Sequence, residues 1–223
     1  MSSSRTITSG TDPNFLGHIG EDSERDRSSE HGAKEAASKR IIVGYGFWIF
    51  LLSDIIMFSA FFASFAVLST ATANGPDGRQ LFDVQNTAIE TGLLLLSSFT
   101  CGFASIGAKA HRKSWFYGAM AATFVLGAAF LGLEIREFLG LIAQNAGPSR
   151  SAFLSSFFTL VGCHGLHIAV GLLWLLTMMA QVLAKGFRED ILRRVLCFSL
   201  FWHALDIVWV ALFTVIYLIG SIQ

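Results

Sequence analysis

Hydrophobic residues are concentrated in five long stretches of the chain, separated by short polar segments. Each stretch contains at most one Asp, Glu, Lys or Arg, and together they cover residues 41–73, 84–108, 114–133, 151–184 and 195–223. An α-helix that crosses about 30 Å of hydrocarbon needs about 20 mainly apolar residues. The pattern therefore predicts five transmembrane helices, at about residues 44–68, 86–108, 115–140, 153–183 and 195–220.

The first 40 residues differ in character from the rest of the chain. They are rich in Ser, mixed in charge and poor in large apolar residues, and they contain no apolar core of a signal peptide. Such a segment cannot bury enough apolar surface to offset the entropy cost of ordering. We therefore expect a disordered cytoplasmic tail over residues 1–40 and a five-helix transmembrane domain over residues 41–223.

The distribution of Lys and Arg predicts the orientation of the helices, because cytoplasmic loops carry an excess of these residues. The tail, the second loop and the fourth loop carry thirteen of them, whereas the first and third loops carry one each. The N-terminus is therefore predicted to be cytoplasmic and the C-terminus periplasmic. These two sides are called inner and outer below. The thirteen residues are Arg5, Arg25, Arg27, Lys34, Lys39, Arg40, Lys109, Arg112, Lys113, Lys185, Arg188, Arg193 and Arg194.

Composition argues against a soluble protein and against a nucleic-acid-binding one. Hydrophobic residues make up 53% of the chain and charged residues only 14%, against about 25% charged in a typical globular protein. The 16 acidic residues balance the 16 basic ones, so no net charge attracts nucleic acid. The fold class predicted from the sequence is an all-α, multi-pass membrane protein.

Five ionisable side chains are predicted to lie deep in the membrane: Asp54, His164, His167, His203 and Asp206. Polar groups in hydrocarbon are costly, so each of them is a candidate for function. The two histidines of the fourth helix are three residues apart, as are the His and Asp of the fifth helix. Each pair therefore shares one helix face.

Three interpretations of these five residues are open: an interhelical hydrogen-bond network, a proton-conducting path, and a metal or haem site. Two histidines one turn apart on one helix cannot be the two axial ligands of a haem, which would need one from each helix. We favour the network. It predicts that the side chains point inward and that at least one carboxylate is hydrogen-bonded to an imidazole of another helix.

Three more carboxylates, Glu90, Glu134 and Glu137, are predicted near the outer ends of their helices. Glu134 and Glu137 could form the outer end of such a path, or they could belong to a surface on which a partner docks. Charges in such positions more often belong to a solvated helix end, which is our interpretation here. The aromatic side chains of the last two helices, among them Trp202 and Trp209, are expected to face mostly lipid or a partner.

Long strings that contain these residues resemble subunit III of the haem–copper terminal oxidases. The resemblance covers residues from about 42 to 220 and is most specific in CHGLHIAVGLLW and WHALDIVW, which carry the His and Asp pairs. Within the family, it is closest to the cytochrome o (bo-type) ubiquinol oxidase, whose subunit III has five helices. The strings are GFWIFLLSDIIMFSAFFASFAVL (46–68), ETGLLLLSSFTCGFA (90–104), LGLEIREF (131–138), FFTLVGCHGLHIAVGLLW (157–174) and LFWHALDIVWVALFTVIYL (200–218).

The resemblance implies subunit III of a proton-pumping ubiquinol:oxygen oxidase of the aerobic respiratory chain, in a bacterial inner membrane. In this family the haems and copper belong to partner subunit I. The resemblance therefore implies no catalytic, cofactor-binding or metal-binding residue in this chain, which would pack beside subunit I, bind phospholipid and stabilise the complex. It also aligns Asp54 with the family's carbodiimide-reactive carboxylate, and Glu134 and Glu137 with its paired glutamates.

Two alternatives to this function remain open. The first is subunit III of a cytochrome c oxidase. The second is a stand-alone proton-coupled transporter built on the intramembrane Asp and His residues. The sequence lacks the matched Gly- or Pro-broken helices that are common in transporters, which argues against the second alternative.

Overall fold

The computed structural model describes residues 42–69, 71 and 84–219, and this part of the chain contains helices and no strands. The chain divides into two units, Met1–Gly46 and Phe47–Gln223, and the packing described below lies within the second. All five long helices are apolar enough to cross a membrane, which confirms the predicted all-α fold with five transmembrane helices. The elements are α1 (Ile42–Leu68), α2 (Val84–Lys109), α3 (Lys113–Ala143), α4 (Ala152–Lys185), α5 (Glu189–Leu212) and a π-helical segment (Phe213–Ile219) that continues α5.

Two sequence predictions concern features that the structure does not describe. The tail predicted over residues 1–40 lies outside the described residues. The orientation of the bundle in the membrane stays a prediction, and the names inner and outer are kept for the ends that the basic loops distinguish.

The inner end of α5 extends beyond the hydrophobic pattern. The helix begins at Glu189, whereas the pattern predicted a start near residue 195. Glu189 and Asp190 lie in its first turn, where carboxylates stabilise the positive end of the helix dipole. Arg193, which lies one turn further along the helix, donates a hydrogen bond to Asp190. Polar residues assigned to a loop therefore form the first turns of a helix.

Four of the five helices form a closed ring, in which α2 packs on α3, α3 on α4, α4 on α5, and α5 on α2. Helix α1 lies against the outside of this ring and runs antiparallel to α4. The ring centroids of Phe47 and Trp174 are 6.1 Å apart near the inner end, and those of Phe65 and Phe153 are 5.8 Å apart near the outer end.

The interior of the ring is aromatic, so the expectation that these side chains mostly face lipid or a partner is wrong. The physical reason is that α5 packs against both α2 and α4. Of an apolar 18-residue stretch of this helix, 50% is buried, whereas only 17% of the corresponding stretch of α1 is buried. The fully buried aromatic residues include Phe130, Phe157, Phe198, Trp202, Trp209 and Tyr217.

Trp202 of α5 contacts all three other helices of the ring. Its indole N–H donates a hydrogen bond to Ser97 Oγ of α2 at 3.0 Å. Its six-membered ring lies against Gly127 of α3 and Gly171 of α4. A Cβ added at these glycines would lie only 3.0 and 2.9 Å from ring atoms, so a larger residue at either position would press on the indole.

Candidate functional site in the membrane interior

Three hydroxyl groups of α2 form hydrogen bonds with side chains of α5. An indole N–H can only donate, so the direction of two of the three bonds is fixed. Polar pairs of this kind help to hold membrane helices together, and here they set the register of α5 against α2. The atom pairs are His203 Nδ1 and Ser98 Oγ at 2.5 Å, Trp202 Nε1 and Ser97 Oγ at 3.0 Å, and Trp209 Nε1 and Thr91 Oγ1 at 3.0 Å.

Asp206 lies one turn beyond His203 on α5 and is 5% exposed. Neither of its carboxylate oxygens has a hydrogen-bond partner among the described residues. The hydroxyl of Ser98, which lies near Asp206, is bound to His203. The His and Asp of α5 therefore share a helix face as the spacing predicted, and Ser98 of α2 lies close to both.

His164 is fully buried inside an enclosure of aromatic rings. Its ring centroid lies 5.1 Å from that of Trp209, 6.0 Å from Phe130 and 6.3 Å from Phe58. In the part of the chain that the structure describes, neither ring nitrogen has a hydrogen-bond partner. Ring contacts from α1, α3 and α5 therefore hold this side chain in position.

Asp54 of α1 and His167 of α4 face each other near the surface of the bundle. Asp54 Oδ1 and His167 Nε2 are 4.0 Å apart, and the side chains are 19% and 20% exposed. His167 Nδ1–H donates to the Cys163 carbonyl of its own helix at 2.7 Å. Because a carbonyl can only accept, Nδ1 is the donor of this bond. The 4.0 Å between Asp54 Oδ1 and His167 Nε2 is beyond hydrogen-bond distance, so the two side chains face each other without a hydrogen bond.

The five predicted intramembrane residues therefore do not form one network. The closest carboxylate and imidazole are 4.0 Å apart, so the predicted interhelical hydrogen bond between such groups is wrong for the described residues. The physical reason is that the backbone of α4 and the hydroxyls of α2 take the polar atoms of His167 and His203. Over the same residues, no group of three or more His, Cys, Asp and Glu side chains is positioned to hold a metal ion.

Glu134 is 2% exposed, so the interpretation of a solvated helix end is wrong for this residue. Helix α3 continues to Ala143, which leaves Glu134 more than two turns before the helix end. Its carboxylate packs on the backbone of α4. A Cβ added at Gly165 would lie 2.5 Å from Glu134 Oε1, so only glycine leaves room for the carboxylate.

The three outer carboxylates lie together between α2, α3 and the π-helical segment. Glu90 is 3% exposed, and Glu134 lies within electrostatic range of both Glu90 and Glu137. The hydroxyl of Tyr217 forms long hydrogen bonds of 3.4 Å to both carboxylate oxygens of Glu137. The structure therefore brings these three predicted residues into one cluster, adjacent to the aromatic core.

Sequence reasoning missed the hydroxyl groups that bind across helices. Thr91 and Ser98 are seven residues apart, which is about two helical turns, so they share one face of α2. That spacing was the available signal. It is weak because Ser and Thr in apolar helices commonly bond to their own backbone, as Thr91 Oγ1 does to the Thr87 carbonyl at 2.8 Å.

The bond between Ser98 and His203 predicts a measurable energetic coupling. A double-mutant cycle of Ser98→Ala and His203→Ala should give a coupling free energy of about 0.6 kcal/mol, and at most about 1.7 kcal/mol, as found for interhelical bonds in membranes. The measurement is the free energy of unfolding in mixed detergent micelles. Ser64 is the control, because its hydroxyl bonds to the Ala60 carbonyl of its own helix. Ser64→Ala combined with His203→Ala should be additive, and equal coupling in both cycles would contradict the assignment.

Comparison with known proteins identifies the family. The family model described as cytochrome c oxidase subunit III matches residues 23–221. A Pseudomonas aeruginosa protein named cytochrome bo(3) ubiquinol oxidase subunit 3 is 51% identical over 178 residues, which cover 80% of this chain and 85% of the relative. The quinol oxidase subunit 3 of Bacillus subtilis is 42% identical over 178 residues, 78% of this chain and 86% of the relative.

A third relative, from Bacillus sp. strain PS3, is named cytochrome c oxidase subunit 3 and is 40% identical over 181 residues, 79% of this chain and 86% of the relative. These findings confirm the resemblance to oxidase subunits III that the sequence strings indicated. The chain is therefore a multi-pass membrane protein that belongs to the cytochrome c oxidase subunit III family, a subunit III of a multi-subunit terminal oxidase.

Proposed function

We propose that this chain is subunit III of a proton-pumping ubiquinol:oxygen oxidase of the aerobic respiratory chain, in the inner membrane of a bacterium. The observation that carries the choice of electron donor is the 51% identity to a relative named cytochrome bo(3) ubiquinol oxidase subunit 3. The excess of Lys and Arg in alternate loops supports a cytoplasmic N-terminus and a periplasmic C-terminus.

Within the oxidase, the chain acts as a non-redox subunit, and the haems and copper belong to partner subunit I. The environments of the three intramembrane imidazoles support this division. His164 contacts aromatic rings, His167 bonds to its own helix, and His203 bonds to Ser98 of α2. Imidazoles that bind a common metal ion must converge on it, whereas these three face different neighbours.

Packing against subunit I is supported by the open face of α1. Of the five membrane-spanning helices, α1 is the least buried: only 17% of its apolar 18-residue stretch is buried. Large side chains on it, such as Ile49, Leu52 and Ile56, are half or more exposed. Such a face is covered by lipid or by another protein in a membrane, and a partner helix of subunit I fits it.

Phospholipid is proposed to bind in the groove between α1 and α5. The groove has a volume of about 450 Å³ and is lined mainly by apolar side chains, including Trp48 and Phe62 of α1 and Ala204 and Ala211 of α5. An acyl chain matches this lining, because it presents no polar group that would lose a hydrogen bond on entering. Bound lipid would fill the space between the ring and α1 and so stabilise the subunit.

The second candidate function is subunit III of a cytochrome c oxidase, favoured by the 40% identity to the relative of that name. Oxygen uptake by the affinity-purified complex separates the two candidates. We expect a haem-containing complex that consumes oxygen with ubiquinol and not with ferrocytochrome c. The opposite donor preference would favour the second candidate. Recovery of the chain alone from a mild detergent would contradict both.

The lipid groove is tested by filling it. Ala211→Phe directs a ring into the groove and should reduce the phospholipid retained by the purified complex, as measured by native mass spectrometry. Ala121→Phe, at an exposed position of α3, is the matched control and should leave lipid retention unchanged. Equal retention in the two variants would argue against a bound acyl chain at this position.

A further inference from the structure

A cavity of about 450 Å³ opens between α2 and α3 at the outer end of the bundle. Its polar lining comes from Asn86, Glu90, Arg136, Glu137 and Gln144, so it differs from the apolar groove between α1 and α5. Water occupies about 30 Å³ per molecule in the liquid and is retained where several polar groups can bind it. The cavity has both the room and the polar partners for several water molecules.

Two carboxyl groups are buried at and behind the wall of this cavity. Glu90 lines the cavity and is 3% exposed, and Glu134 is 2% exposed. Within the described residues, Glu90 Oε2 and both oxygens of Glu134 have no hydrogen-bond partner. The carboxylate of Glu134 is confined by the backbone of α4 at Gly165. Of the two residues, Glu90 is the one that lines the cavity, and Glu134 lies behind it.

Among the residues that the structure describes, the charged and titratable groups around this pair do not neutralise it. Helix α3 contributes a further carboxylate, Glu137, and one cation, Arg136, which is exposed and lines the cavity. The π-helical segment contributes Tyr217, and α4 contributes His164, the neighbour of Gly165 in the sequence. Asp54, the carboxylate of α1, faces His167 elsewhere in the bundle. Burying an unpaired charge is strongly unfavourable, and such a group binds a proton when no cation can reach it.

We propose that Glu90 and Glu134 form a proton-exchange site that is connected to the outer aqueous phase by the water-filled cavity. The pair holds at least one proton, with Glu90 at the cavity wall and Glu134 as the inner group. A cavity water delivers the proton to Glu90 at the cavity wall and later accepts it back, so no other reactant is consumed. The site is separate from the lipid groove and does not depend on which electron donor the oxidase uses.

The first test is infrared spectroscopy of the purified complex, in which a protonated carboxyl group has its own C=O band that shifts in D₂O. We expect wild-type protein to show such a band, and Glu134→Gln and Glu90→Gln each to reduce or remove it. Asp190→Asn is the control, because Asp190 is exposed at the inner end and bonded to Arg193. A carboxyl band that is absent, or unchanged in both glutamine variants, would overturn the proposal.

The second test blocks the cavity and leaves the carboxyl groups intact. Gly140 lines the cavity, and a Cβ added there meets no atom within 4 Å, so Gly140→Leu projects into open space. We expect this variant to keep the carboxyl band while its exchange with D₂O slows several-fold. Gly132→Leu is the matched control, because it is also unobstructed, lies on α3 and does not line the cavity. Equal exchange rates in both variants and wild type would overturn the cavity as the route.

Discussion

The indole of Trp202 reaches the three other helices of the ring from α5, and it can do so only because two of its neighbours are glycines. Gly127 and Gly171 let the backbones of α3 and α4 approach the indole ring, while Ser97 of α2 accepts its N–H. Helices in lipid gain little from hydrophobic burial against each other, so close packing and interhelical hydrogen bonds hold them together. Trp202 supplies both at one point.

This point fixes the depth and direction of the polar groups that follow it on α5. His203, the next residue, meets Ser98. Asp206 comes one turn later on the buried side, and Trp209 comes two turns later, where its ring encloses His164 and its N–H bonds to Thr91. The ring of α2 to α5 is therefore well specified internally, while α1 packs outside it and leaves a groove between itself and α5.

The five helices and the family could be predicted from the sequence, because span length and apolar content are local properties. Side-chain direction could not, because helix faces that meet lipid and faces that meet protein are equally apolar, as Trp202 and Phe157 illustrate. The burial of Glu134 depends on Gly165 of another helix. His167 bonds to the Cys163 carbonyl of its own helix, a contact that the sequence pattern does not reveal. Side-chain direction and the burial of Glu134 depend on tertiary contacts.

The fit of Trp202 is tested most directly by adding one methyl group to the surface that receives it. In Gly171→Ala, the new Cβ would lie 2.9 Å from Trp202 Cζ3 and 3.2 Å from Cε3, and overpacking of this kind costs about 1–3 kcal/mol. In Gly118→Ala the new Cβ meets open space, so the helix should be unaffected or stabilised. The measurement is the free energy of unfolding of both variants in mixed detergent micelles. The account predicts a loss of stability for Gly171→Ala alone, and equal stabilities of the two variants would contradict it.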